Sequence, residues 1–193
     1  MRTIDVLRIL QRFNKRIYSF SDLKKLLNIE DDDSLYVKIS RLVESGLLKR
    51  IKKGVYYLEG REPDSFEIAN VLYEPSYLSL ETALNYYGIL VQTPYIIFSI
   101  TTKRAKRVIF NNIEYHYLQI NRKYFKGYTK EKNFLIATPE KALVDTLYFM
   151  ALGKTKVDID ELNLEVIDKN ILKSYISEID NRVFKRFINR VNI

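Results

Sequence analysis

The first 60 residues carry apolar positions at helical spacing in three successive segments. The first, about Thr3–Phe13, and the second, Ser21–Leu27, are short, and Ser19 or Ser21 is placed to cap the second helix by accepting hydrogen bonds from its first N–H groups. The third follows three aspartates, whose negative charge suits a helix N-terminus. We therefore predict three helices around one small core, with these core positions: Ile4, Leu7, Ile9 and Leu10 in the first helix, and Leu35, Ile39, Leu42 and Val43 in the third.

A basic hairpin is predicted directly after the third helix. Lys49–Lys53 has the composition of a basic strand, Gly54 suits a tight turn, and Val55–Leu58 is an apolar return strand. Three helices and such a hairpin are typical of a winged helix-turn-helix, in which the third helix enters the major groove of DNA and the hairpin, or wing, contacts phosphates. The residues predicted to face DNA are Ser34, Tyr36, Val37, Ser40 and Arg41 on the third helix, and Lys49, Arg50, Lys52 and Lys53 on the wing.

The basic run in the wing also has a simpler explanation. Lysines on the exposed edge of a hairpin block unwanted strand pairing, and an isolated basic run is commonly a solvated edge. The position of this run, directly after a helix with a polar outer face, favours contact with DNA. The run Asp31–Asp33 at the start of that helix would repel phosphate, which counts against contacts from that end.

Charge and composition narrow the class of protein. The net charge of +8 and the pI of about 9.4 favour an anionic partner. The absence of cysteine excludes disulfides and thiolate metal sites. Since the sequence has no run of about 18 apolar residues and Met1–Asp5 opens a polar-flanked helix, we expect neither a membrane span nor a signal peptide. The only histidine, His116, has no partner at metal or triad spacing. We predict a cytoplasmic binding protein that is not an enzyme and has no metal or cofactor.

A second domain is predicted beyond the polar, turn-rich stretch Gly60–Asp64. The expected fold class is α+β: a winged helix-turn-helix at 1–60, followed at 61–193 by a mixed α/β domain with a small sheet and a helical C-terminus. The predicted elements of the second domain are helices at Ser65–Tyr73 and Ser79–Tyr87, a strand at Tyr95–Ile100, a hairpin at Arg107–Ile120 that turns at Asn111 and Asn112, a strand at Phe134–Ile136, a helix opened by Thr138 and Pro139, and short helices from about Asp158.

Two motifs in this second domain, together with the winged helix, resemble the AbiEi antitoxins. The motifs are Tyr77–Gly88 (YLSLETALNYYG) and Ala137–Asp145 (ATPEKALVD), and most of their residues are also explained as helix-forming. The wing resembles the Gly-x-Tyr wing of that family, which adds Tyr56 to the predicted DNA-binding residues. The resemblance implies an antitoxin and transcriptional regulator of a type IV, abortive-infection pair, whose toxin is nucleotidyltransferase-like.

A second basic segment lies between two predicted strands, and its residues are Lys103, Arg104, Lys106 and Arg107. Such a loop is commonly just solvated. It would otherwise extend the DNA footprint onto the second domain or bind an acidic face of a toxin.

The predicted partners follow from the resemblance. It implies that the winged helix binds inverted repeats in double-stranded DNA of the protein's own promoter and that the second domain counters the toxin. Inverted repeats require two copies of the chain, which a weak dimer or monomers that assemble on DNA would supply. The alternative is a protein-interaction module that neutralises a toxin without significant DNA binding. No membrane partner is expected.

Overall fold

The chain forms helices and two sheets, which confirms the α+β fold class. The computed structural model describes residues 2–13 and 15–191. These residues divide into two compact units, Met1–Ile68 and Ala69–Ile193, and α4 (Ser65–Leu72) includes residues of both. The independent folding of 1–60 and 61–193 as domains stays a prediction.

The first unit has the three predicted helices and the predicted hairpin, with one additional strand. That strand, β1, follows the first helix and pairs with β3, so the sheet has the order β1-β3-β2 and is antiparallel throughout. Three residues are too short a run to be recognised from periodicity alone. The elements are α1 (Thr3–Gln11), β1 (Ile17–Ser19), α2 (Phe20–Leu27), α3 (Asp32–Glu44), β2 (Leu48–Lys52) and β3 (Val55–Leu58).

The core of the first unit confirms most of the predicted positions. Leu35, Ile39 and Leu42 are buried, and Val43 packs against the core while partly exposed. The prediction for Ile4 is wrong, because its side chain is 49% exposed. Leu10 is buried as predicted, and Leu7 and Ile9 pack against the core while partly exposed. Val6, which was not predicted, is buried in place of Ile4. Ile4 and Val6 are two positions apart in the sequence, so Ile4 lies about 200° around the helix from Val6 and faces away from the core.

The second unit is a six-stranded mixed sheet with helices. The strand order is β6-β7-β5-β4-β9-β8, with the pairs β4–β9 and β5–β7 parallel and the other neighbours antiparallel. After α4, its elements are β4 (Ser76–Leu78), α5 (Leu80–Tyr86), β5 (Ile96–Thr101), β6 (Lys106–Phe110), β7 (Ile113–Gln119), β8 (Tyr128–Glu131), β9 (Phe134–Ala137), α6 (Pro139–Ala151), α7 (Lys169–Glu178) and α8 (Arg182–Ile188).

Local turn and cap chemistry in this unit largely matches the prediction. Asn111 and Asn112 turn the β6–β7 hairpin with φ values of 48° and 61°, a conformation that asparagine tolerates. Thr138 caps α6 by accepting a hydrogen bond from the N–H of Lys141. Ser79 precedes α5 but makes no cap hydrogen bond with its side chain. Its hydroxyl has another partner in the core.

A buried carboxylate joins the two motifs of the second unit. The Tyr77 and Ser79 hydroxyls, from the first motif, each donate a hydrogen bond to Oδ2 of Asp145 at 2.9 Å. From the second motif, the Lys141 ammonium pairs with the other carboxylate oxygen, Oδ1. The side chains of Asp145 and Lys141 are 0% and 3% exposed. Three donors therefore satisfy a charge that has no access to water, and they tie β4 to α6.

The buried phenol of Tyr77 belongs to the same network. Burial raises the pKa of Tyr77 well above its ordinary value, and the neighbouring Asp145 carboxylate raises it further. Burial raises the pKa of Tyr117 as well, and the Tyr117 hydroxyl donates to the carbonyl of Ala69 at 2.6 Å. Both phenols are thus held neutral as hydrogen-bond donors.

Asp145→Ala should destabilise the second unit strongly. The substitution leaves the Lys141 ammonium buried without its counter-charge, so the free energy of unfolding should fall by about 3–5 kcal/mol. Urea denaturation monitored by circular dichroism measures the loss. The exposed Glu165 provides a matched control, since its removal should change stability by less than about 0.5 kcal/mol. A loss for Asp145→Ala no larger than that of the control would contradict the role of this ion pair.

Stability should also fall at alkaline pH. A phenol whose pKa is raised by folding contributes stability that is complete below the unfolded value near pH 10 and is lost as pH rises toward the folded value. Above pH 10, each such tyrosine should therefore lower the free energy of unfolding by about 1.4 kcal/mol per pH unit. Urea titrations at several alkaline pH values should show this decline, and Tyr77→Phe should make it shallower. An identical slope for Tyr77→Phe would show that Tyr77 ionises equally easily in both states.

Candidate nucleic-acid interface

The third helix, α3, starts with its aspartates engaged in the protein. Asp31 is the N-cap and accepts a hydrogen bond from the N–H of Ser34 at 2.8 Å. Hydrogen bonding to the Ser34 side chain, and then to this N–H, lowers the pKa of Asp31. The carboxylate of Asp32 lies 2.5 Å from the ammonium of Lys24 on α2. Asp33 stays exposed. The cap and the ion pair fix the start of α3 against α2 and offset part of the negative charge at that end.

One face of α3 is open to solvent and mixes polar and apolar groups. Tyr36 and Val37 are 50% and 51% exposed, although large apolar side chains are seldom left open on a helix that has a core to bury them. Ser34, Ser40 and Arg41 are exposed on the same helix. Beside this face a concave surface of about 720 Å³ lies between α3 and the turn after α2. These five residues are the ones that the sequence predicts to face DNA.

The wing presents its four predicted cations unequally. Lys49 pairs with Glu59 across 3.4 Å, and Lys52 is half-buried. Arg50 is exposed in β2, and Lys53 is exposed at the turn. The turn residue Gly54 has a φ of +76°, a conformation that favours glycine. Arg50 and Lys53 are therefore the wing cations best placed to meet an external anion.

Tyr56 does not lie on this surface. Its side chain is 5% exposed and packs in the core with Leu48 and Leu58. Tyr57 is buried as well, at 6% exposure. The run of apolar residues in β3 has no alternation that would show which tyrosine faces inward. Tyr56 is a core residue that supports the wing rather than a DNA-facing one.

Phe20 connects the wing to α3, a role that no pattern in the sequence indicates. Its N–H, at the start of α2, donates to the carbonyl of Gly54 in the wing turn at 2.8 Å. Its ring lies 4.4 Å from the ring of Tyr36, centroid to centroid. One residue thus links the wing turn, the second helix and the exposed aromatic of α3. The contact depends on β1, which positions Phe20, and β1 itself was not predicted.

A further basic cluster lies next to β1, with Lys15 and Arg16 before the strand and Arg61 after β3. These three residues line a cavity of about 350 Å³. Lys15 lies 2.7 Å from the Asp22 carboxylate, and the Arg61 guanidinium donates to the carbonyl of Phe13 at 3.2 Å. The Lys-Arg pair is visible in the sequence, but only the pairing of β1 with β3 shows that Arg61 joins it.

The second basic segment is exposed and well ordered by local contacts. Lys103, Arg104, Lys106 and Arg107 lie after β5 and in the first half of β6, all on the surface. None of the four forms an ion pair with a carboxylate of the described residues. The hydroxyl of Tyr73 donates to the carbonyl of Arg104 at 3.0 Å. The segment is therefore a fixed patch of positive charge.

The described residues show little that suggests other chemistry. They contain no cluster of three or more histidine, aspartate or glutamate side chains arranged to hold a metal ion. His116 lies in β7, as predicted, and its Nε2 is 2.5 Å from the Glu114 carboxylate. Within 2–13 and 15–191, none of the helices has the length and apolar character needed to cross a membrane.

The N-terminal unit matches a known family. Residues 5–58 match the family model described as "Transcriptional regulator, AbiEi antitoxin". This part of the chain is therefore similar to the AbiEi antitoxin family. The match runs from α1 to the last residue of β3, so it contains the whole of α3 and the wing, and it confirms the resemblance found in the sequence. The family's description is that of a regulator rather than an enzyme. No curated protein matches the chain.

Replacing Phe20 by leucine should weaken DNA binding without removing a phosphate contact. Leucine keeps the apolar bulk but loses the ring that supports Tyr36, and an aromatic pair contributes about 0.5–1.5 kcal/mol, equivalent to about a two- to tenfold change in affinity. Fluorescence anisotropy over a range of salt concentrations measures both the affinity and its salt dependence, which should keep its slope. Phe13→Leu, at an exposed site after α1, is the matched control. Equal affinity for Phe20→Leu and the control would contradict the supporting role.

Proposed function

We propose that this protein is a sequence-specific DNA-binding regulator that represses its own toxin–antitoxin operon and neutralises a nucleotidyltransferase-like toxin. The observation that carries the DNA-binding part is the open face of α3, where Tyr36, Val37, Ser40 and Arg41 are exposed within the AbiEi-matched region. The family description, an antitoxin that regulates transcription, supports the rest. A regulator of this kind acts in the cytoplasm, where its promoter is.

The two parts of the interface have different tasks in this proposal. The planar guanidinium of Arg41 suits a bidentate contact with a base edge in the major groove, with Tyr36 and Ser40 beside it. The Lys53 ammonium is a compact point charge and the Arg50 guanidinium is a planar one. Both groups suit contacts with phosphates. Lys49 and Lys52 contribute less, since one is paired with Glu59 and the other is half-buried. Base contacts determine which DNA sequence is preferred, whereas phosphate contacts determine the affinity and its dependence on salt.

Inverted repeats in the promoter would place two copies of the chain on one duplex. Each copy then reads one half-site with its α3, and the half-sites lie about one helical turn, or a multiple of it, apart. A monomer in solution that assembles on DNA and a weak dimer both satisfy this arrangement. The second basic patch on the second unit is a further candidate contact surface in the assembled complex.

Arg41→Ala and Lys53→Ala should separate the two tasks. Arg41→Ala should lower affinity for promoter DNA by about 1–3 kcal/mol while leaving binding to random duplex nearly unchanged, because it removes a base contact. Lys53→Ala should weaken both complexes alike and lower the slope of log affinity against log salt by about one, because it removes a phosphate contact. Anisotropy titrations of both duplexes at several salt concentrations measure these effects.

Arg8→Ala is the control for charge, since Arg8 is exposed on α1 and outside the proposed surface. It should leave both affinities unchanged. Equal losses on promoter and random DNA for Arg41→Ala and Lys53→Ala would contradict the division of tasks. Unchanged binding for both variants would contradict the proposed interface itself.

A further inference from the structure

Strand β6 is a free edge of the six-stranded sheet. It is the first strand in the order β6-β7-β5-β4-β9-β8 and pairs on one side with β7, from Lys106 opposite Tyr117 to Phe110 opposite Ile113. No other described strand pairs with its outer side. Along an edge strand, alternate N–H and C=O groups point outward and can bond another chain in extended conformation.

Charged side chains protect only the first two residues of this five-residue edge strand. Natural edge strands carry lysine or other charges that discourage pairing, and Lys106 and Arg107 fit that explanation. Ile109 does not, because it is apolar and its side chain is 74% exposed near the turn of the hairpin. An exposed isoleucine on an open edge is a hazard for aggregation unless a partner covers it.

A groove runs beside this edge. It has a volume of about 470 Å³, and its lining includes the apolar Phe98 and Leu118 and the cations Lys106, Arg107 and Lys154. Arg107 lies directly opposite His116 and Ile109 opposite Glu114, so Arg107 and Ile109 share one face of the sheet. An apolar side chain next to an acidic one would fit this surface when presented by an extended segment.

The cations around the edge are held in place by Tyr73. The ammonium groups of Lys103 and Lys106 lie 5.6 Å and 5.2 Å from the centre of its ring. The Tyr73 hydroxyl bonds the backbone of Arg104, between them. Since the segment is already ordered, an anionic partner would lose little affinity to the ordering of these side chains.

We propose that the β6 edge binds an acidic, extended segment of a protein partner as an added strand, with an apolar side chain of that segment against Ile109 and the groove. The charge argues for an acidic segment, because Lys103, Arg104, Lys106, Arg107 and Lys154 form no ion pair with the described carboxylates. A DNA duplex offers phosphates but no extended peptide backbone whose N–H and C=O groups could pair with the edge. The proposal rests on the antitoxin part of the proposed function, because the partner that it requires is a protein, as the toxin is.

Selection of random linear peptides displayed on phage, against the immobilised 193-residue protein, tests this inference. We expect the enriched peptides to be acidic and to carry an apolar residue two positions from an acidic one, because residues two apart share one face of an added strand, as Arg107 and Ile109 do. Hydrogen–deuterium exchange with a synthetic copy of the most enriched peptide should then slow exchange at the amides of 106–110. Enriched peptides without acidic bias, or no slowing in β6, would overturn the inference. A selection that enriches no peptide would overturn it as well.

Two substitutions and a control locate the site. Ile109→Glu removes the apolar contact and repels an acidic strand, and Arg107→Glu reverses the charge of one of the cations. Each substitution should lower the affinity for the synthetic peptide by about tenfold or more, equivalent to about 1.4 kcal/mol. Both side chains are exposed, so the fold should survive, and thermal melting checks this. Lys173→Glu, the same charge change on the exposed face of α7, should leave peptide binding unchanged. Equal binding by wild type and both β6 variants would contradict the site.

The same variants distinguish failure of this inference from failure of the proposed function. Ile109 is not among the proposed DNA contacts, so Ile109→Glu should bind promoter DNA as the wild type does. If the peptide selection fails while promoter binding holds, the edge is not a docking site and the DNA-binding proposal stands. If Arg107→Glu weakens DNA binding and no acidic peptide is enriched, the patch is a DNA contact, and the strand-addition inference is overturned.

Discussion

The arrangement of the N-terminal unit depends on a single small core shared by α3 and the wing. Leu35 and Leu42 of α3 belong to the same buried cluster as Leu48 and Leu58, which are paired across the hairpin. Each of these leucines is 1% exposed or less. Since close-packed side chains leave few alternative arrangements, the helix and the hairpin are fixed relative to each other in the free protein. Pre-organisation of this kind lowers the cost of binding, and Phe20 extends it to the wing turn.

The second unit is organised around a charge instead of an apolar cluster alone. The buried Asp145 carboxylate accepts hydrogen bonds from the hydroxyls of Tyr77 and Ser79 and forms an ion pair with the ammonium of Lys141. An ion pair of this kind contributes less net stability than apolar packing would, but it penalises arrangements that leave any member without its partner. The two motifs that resemble the antitoxin family are thereby explained as parts of one structural network. Tyr77, Ser79, Lys141 and Asp145 are buried and hold β4 and α6 together.

Much of the fold was predictable from the sequence, and the failures have clear physical causes. The helical stripe of α3, the cap at Thr138 and the Asn111–Asn112 turn follow from local chemistry that acts over a few residues. The strands β1, β4 and β8 were missed because three or four residues carry too little periodicity. Tyr56 was misplaced because consecutive apolar residues do not show which face is buried.

The candidate interface divides in the same way. The exposed residues of α3 were predictable, since they are the remainder of an amphipathic pattern whose other face fills the core. Three other features could not be predicted, because each depends on contacts between elements. They are the contact of Phe20 with Tyr36, the cluster of Lys15, Arg16 and Arg61, and the pairing of Lys49 with Glu59. The free edge at β6 likewise follows from the strand order, which no local pattern specifies.

The most direct test of the central claim is an anisotropy titration of the 193-residue protein on the DNA upstream of its own gene and on random duplex, at two salt concentrations. The account predicts tighter binding to the upstream DNA at both, with both affinities falling as salt rises because phosphate contacts release counterions. Equal affinity for the two duplexes at both concentrations would contradict sequence-specific recognition by α3. That result would favour the alternative function, a protein-interaction module that neutralises a toxin without significant DNA binding.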